Sequence, residues 1–327
     1  MNGLTVRRLT SDDALQLASL LGAVAAPGPR VDRGSDPFAH PRATGDPLHV
    51  GAFCGDRLVA VVGAVAQQRH VGGVARRTVY LCDVRVASDF RGTFVLLPVL
   101  KVLREALSAD SWSCAVVLEG NPMAKGLSSA RWFGACRLLG RTRHVAWPAF
   151  LDVPPRAHRV EETDADTAAA AYFRLAPAHD LSPADEPRFR TGGRFFVERS
   201  GTRVVAVGKW VDERPARRIV ADDRSFPAVA VLNLVARARR FPALPRPGAS
   251  IALAYLSWFA SERRAPPAGF ARAVASLTRA ATHVCFGVDA ALAPPAHPLA
   301  HHFVSCTYGY GDVPSSLRMQ SHELTWM

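Results

Sequence analysis

One stretch constrains this chain more than any other: residues 79–107, in which Val79-Tyr-Leu-Cys-Asp-Val-Arg-Val leads through Asp89-Phe-Arg-Gly into an amphipathic run. The β-branched and aromatic residues of 79–86 predict a buried strand. Simple alternation sends Leu81, Asp83 and Arg85 to one face and Cys82, Val84 and Val86 to the other. Leu96, Val99, Leu100, Leu103 and Leu107 recur at helical spacing, so the turn opens a helix with one apolar face, capped by Ser88 or Asp89. Such a connection suits an anion, because the first helical turn holds unpaired N–H groups at the positive end of the dipole. Arg91 adds a forked, charge-assisted donor for a pyrophosphate oxygen. An ordinary strand–turn–helix connection with a solvated arginine accounts for these residues equally well.

A length of 327 residues allows two domains, each with its own core. With 49% hydrophobic and 21% charged residues the composition is that of a globular protein. The formal net charge of +12 invites a nucleic-acid reading, but 37 of the 40 basic residues are arginines scattered without a long run. A solvated surface is favoured over a nucleic-acid face, and the charge still steers an anionic cofactor. The six cysteines are far apart and mostly in apolar runs, which reads as buried free thiols in a reducing compartment. Residues 1–8 open directly into a strand pattern without a signal-like apolar core. No apolar run approaches the roughly 18 residues a spanning helix needs, so a soluble, cytoplasmic chain is expected, with no membrane partner.

In chain order, residues 4–9 predict a strand, and Ser11-Asp12-Asp13 caps a helix with Leu15, Ala18, Leu21 and Ala25 inward. Residues 27–47, rich in Pro, Gly, Asp and Arg, read as a long loop. Residues 49–65 form a hairpin turning at Gly55-Asp56, 113–118 a strand, 131–139 a helix, and 143–153 a strand or two before the linker candidate Pro154-Pro155. The pattern then repeats. Gly201-Thr-Arg-Val-Val-Ala-Val matches Gly55-Asp-Arg-Leu-Val-Ala-Val without gaps, and a strand (251–259), a helix (270–281) and a strand (284–289) follow in the earlier order.

Leu81-Cys-Asp-Val-Arg-Val followed by Asp89-Phe-Arg-Gly resembles the GNAT superfamily of acyl-CoA-dependent N-acetyltransferases. The resemblance implies an α+β (mixed α/β) fold of two tandem GNAT-like domains, residues 1–153 and 158–327, each a mixed, mostly antiparallel sheet flanked by helices. The second has no Arg-x-x-Gly loop after its central strand and reads as degenerate. It further implies an acyl-CoA co-substrate, acetyl-CoA or another, and a small-molecule or peptide amine as acceptor, with no metal. By position, the backbone of Val84 and Val86 would hold the pantetheine arm, and Arg91, Gly92, Thr93, Phe94 and Val95 would wrap the pyrophosphate. Phe94 and Leu96 stand where the family's loop carries glycine and Gly or Ala. Asn121 with Ala124 matches an Asn-x-x-Ala whose amide contacts pantetheine.

Asp83 and Glu119 are the candidate general bases on the strands flanking the expected cleft. A mid-strand carboxylate among apolar neighbours must be paired or functional, and pairing of Asp83 with Arg85 or another arginine is the structural alternative. Glu119 reads as readily as a solvated acid. The family's thiolate-protonating tyrosine has no counterpart, Ser128 falling at its spacing; Tyr80 or Tyr255 would have to serve. His297, His301 and His302 lack carboxylates at ligand spacing and read as a surface or core cluster. Two functions therefore stand: an acyl-CoA-dependent N-acyltransferase, or a non-catalytic module of the same fold that binds acyl-CoA or a protein partner.

Overall fold

A computed structural model describes residues 3–22, 30–107, 112–121, 135–151, 159–221, 229–262, 267–292, 297, 299–314 and 317. The N-terminal half runs β1 (Leu4–Arg8), α1 (Ala14–Gly22), β2 (Arg30–Asp32), α2 (Ala39–Thr44), β3 (Asp46–Cys54), β4 (Arg57–Val71), β5 (Val74–Val86), α3 (Leu96–Ala106), β6 (Ser113–Leu118) and β7 (Cys136–Pro148). The C-terminal half runs β8 (Val160–Thr163), α4 (Ala165–Leu175), α5 (Glu186–Arg190), β9 (Arg194–Ser200), β10 (Arg203–Val211), β11 (Arg218–Val220), α6 (Val229–Ala238), β12 (Leu253–Ser261), α7 (Ala268–Thr278), β13 (His283–Asp289) and β14 (His301–Tyr310).

The expected α+β class holds, with helices packed on a mostly antiparallel sheet. Twelve described strands form that sheet in the order β1-β3-β4-β5-β6-β14-β7-β13-β12-β10-β9-β8. Each half contributes a run of neighbours with one parallel pair, β5–β6 in one and β12–β13 in the other. At the middle the halves exchange their last strands: β14 pairs with β6, and β7 pairs with β13. The proposed linker at residues 154–155 lies outside the described residues, and the division at 153–158 stands as an inference from sequence.

The repeat extends to backbone detail. Gly55 and Gly201 open the β3–β4 and β9–β10 turns with φ of +59° and +63°, the left-handed conformation such tight hairpins need. In each half the strand before the central helix carries an extra residue relative to its antiparallel neighbour: Val61 and Gly63 face Arg85 and Cys82, while Val207 and Lys209 face Ala260 and Ser257. The residues at these two bulges, Asp83 and Trp258, both have φ of +51°. Tyr80 faces Cys114 across β5–β6, and Tyr255 faces Cys285 across β12–β13.

Apolar periodicity placed α3 correctly: Val99 and Leu103 are fully buried on β3 and β4, with Leu96, Leu100 and Leu107 partly so. Four expectations need correction. Thr10 and Asp13 form the capping box ahead of α1, and Leu17 and Leu20 are its buried residues while Leu15 is exposed; Ala25 is outside the described residues. Of the expected loop at 27–47, residues 27–29 lie outside the described residues and the rest is no plain loop, since β2 pairs with β11 and α2 packs on β3 and β4. Residues 136–139 are strand, because β7 is drawn into the ladder between β13 and β14. Ser88 and Asp89 do not cap α3; they begin a separate short turn, and α3 starts after Val95 without a side-chain cap. Pro98 falls in the first turn of α3, where it removes no helical hydrogen bond.

Leu103→Ala should cost about 2–5 kcal/mol in urea unfolding, whereas Leu15→Ala should stay within about 0.5 kcal/mol. Equal losses would reverse the orientation of α1.

Candidate functional site at the β5 bulge

The β5–β6 ladder covers Val79–Leu81 against Ser113–Ala115 and then stops, while β5 continues to Val86. Beyond that point the strands part, β6 going on against β14. The bulge falls in the segment of β5 that β6 has left. Its extra residue breaks the simple alternation expected for this strand. Val84 and Val86 lean on the same core as Leu81 and Val79, whereas Asp83 falls on the side of Cys82, its carboxylate 3.8 Å from the Cys82 Sγ.

Asp83 is buried and paired, but its partner is not Arg85. The Arg33 guanidinium donates to both carboxylate oxygens, at 2.7 and 3.4 Å, and the His49 Nε2 lies 3.0 Å from Oδ2. Burial pushes the Asp83 carboxyl up, yet Arg33, His49 and the field of Arg85 outweigh it and hold the group well below the usual carboxylate range. His49 reaches Asp83 because it faces Gly63, where a Cβ would come within 2.7 Å of its Nε2. Phe38 packs edge-on against the imidazole at 5.2 Å. Arg33 is held from the other half: the β2–β11 pairing precedes it, and the Asp32–Arg218 ion pair (2.8 Å) fastens that ladder. Neither Arg33 nor His49 carried a sequence signal, since both meet Asp83 only through tertiary structure.

The other expected site residues are distributed as follows. Arg91, Gly92, Thr93 and Phe94 form an exposed loop ahead of α3, with Gly92 at φ +78°, and Val95 is buried beneath it. The Phe94 ring is 71% exposed, so it leaves the loop unplugged. Asp89 faces Arg57 through a two-pronged ion pair at 2.7 and 2.9 Å, which neutralises the acid nearest the loop in sequence. Glu119 ends β6 in contact with Arg141 at the surface, on the side of β14 and β7. Asn121 closes the following turn through its N–H to the Leu118 carbonyl, at 3.1 Å. Ala124 and Ser128 lie outside the described residues. Tyr80 and Tyr255 are buried, and burial pushes both phenols up. His297 packs beside Trp147 and His301 beside His283, at ring separations of 5.0 and 6.5 Å.

His49, Cys82 and Asp83 bring three potential metal ligands within 4.8 Å of one another. The site already contains a cation in the Arg33 guanidinium, and burial together with Asp83 pushes the Cys82 thiol well up, away from the thiolate a metal needs. These residues fit an ion-paired cluster better than a metal centre.

The equivalent place in the other half is filled. Trp258 and Phe259 are buried at the second bulge, with Phe259 packed edge-on to Phe270 at 5.2 Å. Lys209, which takes the place of Gly63, donates to the carbonyls of Arg188, Phe189 and Thr191 at 2.7–3.1 Å, and burial lowers its pKa to about 8. Ser257–Ser261 are all buried, whereas Cys82, Val84, Arg85 and Val86 are only partly so.

No protein-family model matches the chain, and no curated protein matches it in sequence. Solved structures do. A GCN5-related N-acetyltransferase from Anabaena variabilis superposes at a TM-score of 0.52 and 8% identity, over 94% of this chain and 72% of that one. Saccharomyces cerevisiae N-myristoyltransferase with bound myristoyl-CoA superposes at 0.57 and 12% identity, over 98% and 84%. The chain thus has the fold of the GNAT superfamily, as the residues around Arg91 suggested. Among the described residues no helix is long and apolar enough to cross a membrane.

The Asp83 carboxyl ionises more readily folded than unfolded, so it stabilises the fold above the ordinary carboxylate range near 3.8 and loses that effect as pH falls through the lower folded value. Arg33→Met should cost about 3–5 kcal/mol at pH 7 by removing the forked guanidinium partner of a buried carboxylate. The gap to the parent protein, followed by urea unfolding, should narrow between about pH 7 and pH 3 as Asp83 protonates. A gap that stays constant with pH would show that the pair is not ionic.

Proposed function

We propose that this chain is an acyl-CoA-dependent N-acyltransferase. The observation that carries the reading is the parting of β5 and β6 after Leu81 and Ala115, with a bulge on the freed strand and an exposed Arg-Gly loop leading to the N-terminus of α3. A splayed pair of parallel strands offers backbone N–H and C=O groups to an extended pantetheine arm, here those of Val84 and Val86. The helix N-terminus and Arg91, with Gly92–Val95, offer donors to a diphosphate. One structural neighbour holds myristoyl-CoA, which agrees with an acyl-CoA as the donor.

Transfer requires the acceptor nitrogen to attack the thioester carbonyl, the C–S bond to break, and the ammonium proton to leave while the thiolate gains one. Asp83, with the His49 imidazole held against it at 3.0 Å, is the candidate proton acceptor beside the bulge. A carboxylate held this low is a weak base alone, so the reading gives Asp83 its effect through His49. Glu119, at the surface with Arg141, is the second candidate. The same features favour the alternative of a non-catalytic acyl-CoA-binding module if Asp83 serves only to neutralise Arg33.

Acetyl-CoA should raise the unfolding temperature, and Arg91→Ala should weaken its binding several-fold; an unchanged dissociation constant would remove the loop from the site. Asp83→Asn should slow thiol release with amine acceptors by about 10²–10⁴-fold and leave acetyl-CoA binding intact. Loss of stability alone, without loss of turnover, would make Asp83 structural.

A further inference from the structure

Arg85 is out of place for a structural residue. It lies two positions beyond the bulge, on the part of β5 that β6 has left, and is partly buried. Its Nη1 donates to the carbonyl of its own neighbour Val84, and its buried Nε has no hydrogen-bond partner. Among the described residues no carboxylate pairs with it. Asp83, the acid whose field reaches it, is already engaged by both Nη groups of Arg33 and by His49. Two guanidiniums therefore share one carboxylate, and the cluster holds one positive charge more than its own groups balance.

The fold does not demand that charge. In the second half Ala260 occupies the place of Arg85, fully buried, and Trp258 that of Asp83. The same bulge with the same φ is built there on a strand whose own side chains are neutral, the nearby cation being Lys209 of β10, which is spent on three backbone carbonyls. A planar guanidinium with an unmet donor, on a strand segment that β6 does not pair with, has the geometry to take a carboxylate or phosphate oxygen pair.

We infer that Arg85, beside the Arg33–Asp83 pair, binds a carboxylate carried by the acyl acceptor, so that the acceptor is an amino-acid-like amine. This rests on the proposed acyl transfer and deepens it. The loop of Arg91 supplies the donors for cofactor phosphates and the backbone of Val84 and Val86 those for pantetheine, which leaves the side chains of Asp83 and Arg85 for the acceptor. A carboxylate on Arg85 would bring an attached amine to the side of β5 where Asp83 and His49 sit, so the proton acceptor and the anion anchor face one molecule.

The test uses the full chain, with and without CoA, and a panel of L-amino acids and ω-amino acids beside the carboxamide of each. Thermal shift and titration calorimetry read binding, and thiol release reads turnover where it occurs. At least one acid should bind tenfold or more tightly than its carboxamide. Arg85→Gln should erase that ratio, Arg85→Lys should keep part of it, and acetyl-CoA affinity should stay within twofold of the parent. Neither substitution by a neutral residue should lower the unfolding temperature, because each removes an uncompensated buried cation; Arg85→Ala, which copies Ala260, is the control for folding. Equal binding of acids and carboxamides, or no binding of any acid, overturns the inference. So does a tenfold loss of acetyl-CoA affinity in Arg85→Gln, which would assign the guanidinium to a cofactor phosphate. If acetyl-CoA neither binds nor turns over, the acyltransferase reading fails on its own, while the ratio of acid to carboxamide still decides the role of Arg85.

Discussion

The bulge at Asp83 is the constraint from which the site follows. A residue with a Cβ adopts φ of +51° there, an unfavourable conformation outside glycine. The gain is positional. One added residue places Cys82 and Asp83 on the same side of β5, below the point where the strand loses its parallel neighbour. The carboxylate then meets His49 across β4 and Arg33 from the β2 turn. Burying that carboxylate without the guanidinium would be costly, so the charge pair and the backbone distortion require each other.

The two halves show one backbone plan put to different ends. Both have the bulge, the parallel pair ahead of it and the tyrosine–cysteine pairing across that ladder. In the second half aromatic rings and the hydrogen-bonded Lys209 occupy the space, and the strand is buried along its length. That half nonetheless serves the first: β11 pairs with β2, and the Asp32–Arg218 bridge holds the turn that delivers Arg33. The filled half works as a support for the other through these contacts.

Much of this was legible in the residues themselves. The period of Val99 and Leu103 placed α3, the Gly55 and Gly201 runs marked matching hairpins, and Asp83 stood out as a carboxylate in an apolar strand. What stayed hidden depended on distant contacts. Strict alternation put Asp83 with Leu81, because an inserted residue leaves no compositional trace. Arg33 lies in a proline- and glycine-rich stretch that reads as loop, and His49 looks like any residue of an edge hairpin. Residues 136–139 read as helix because their strand partner, β14, comes more than a hundred residues later. Leu15 faces outward because a tighter turn over Ser11–Asp13, begun at Thr10, precedes α1, whose buried face carries Leu17 and Leu20.

The traded strands in the middle of the sheet impose an order on biosynthesis. β6 finds its outer neighbour only in residues 301–310, and β7 finds both of its neighbours in residues beyond 280. During translation the first half therefore leaves the ribosome with an open hydrogen-bonding edge, and closing that edge waits for nearly the whole polypeptide to be made. Completion of the sheet around the site is in this sense a C-terminal event, although the Arg33–His49–Asp83 cluster comes wholly from the first third of the chain.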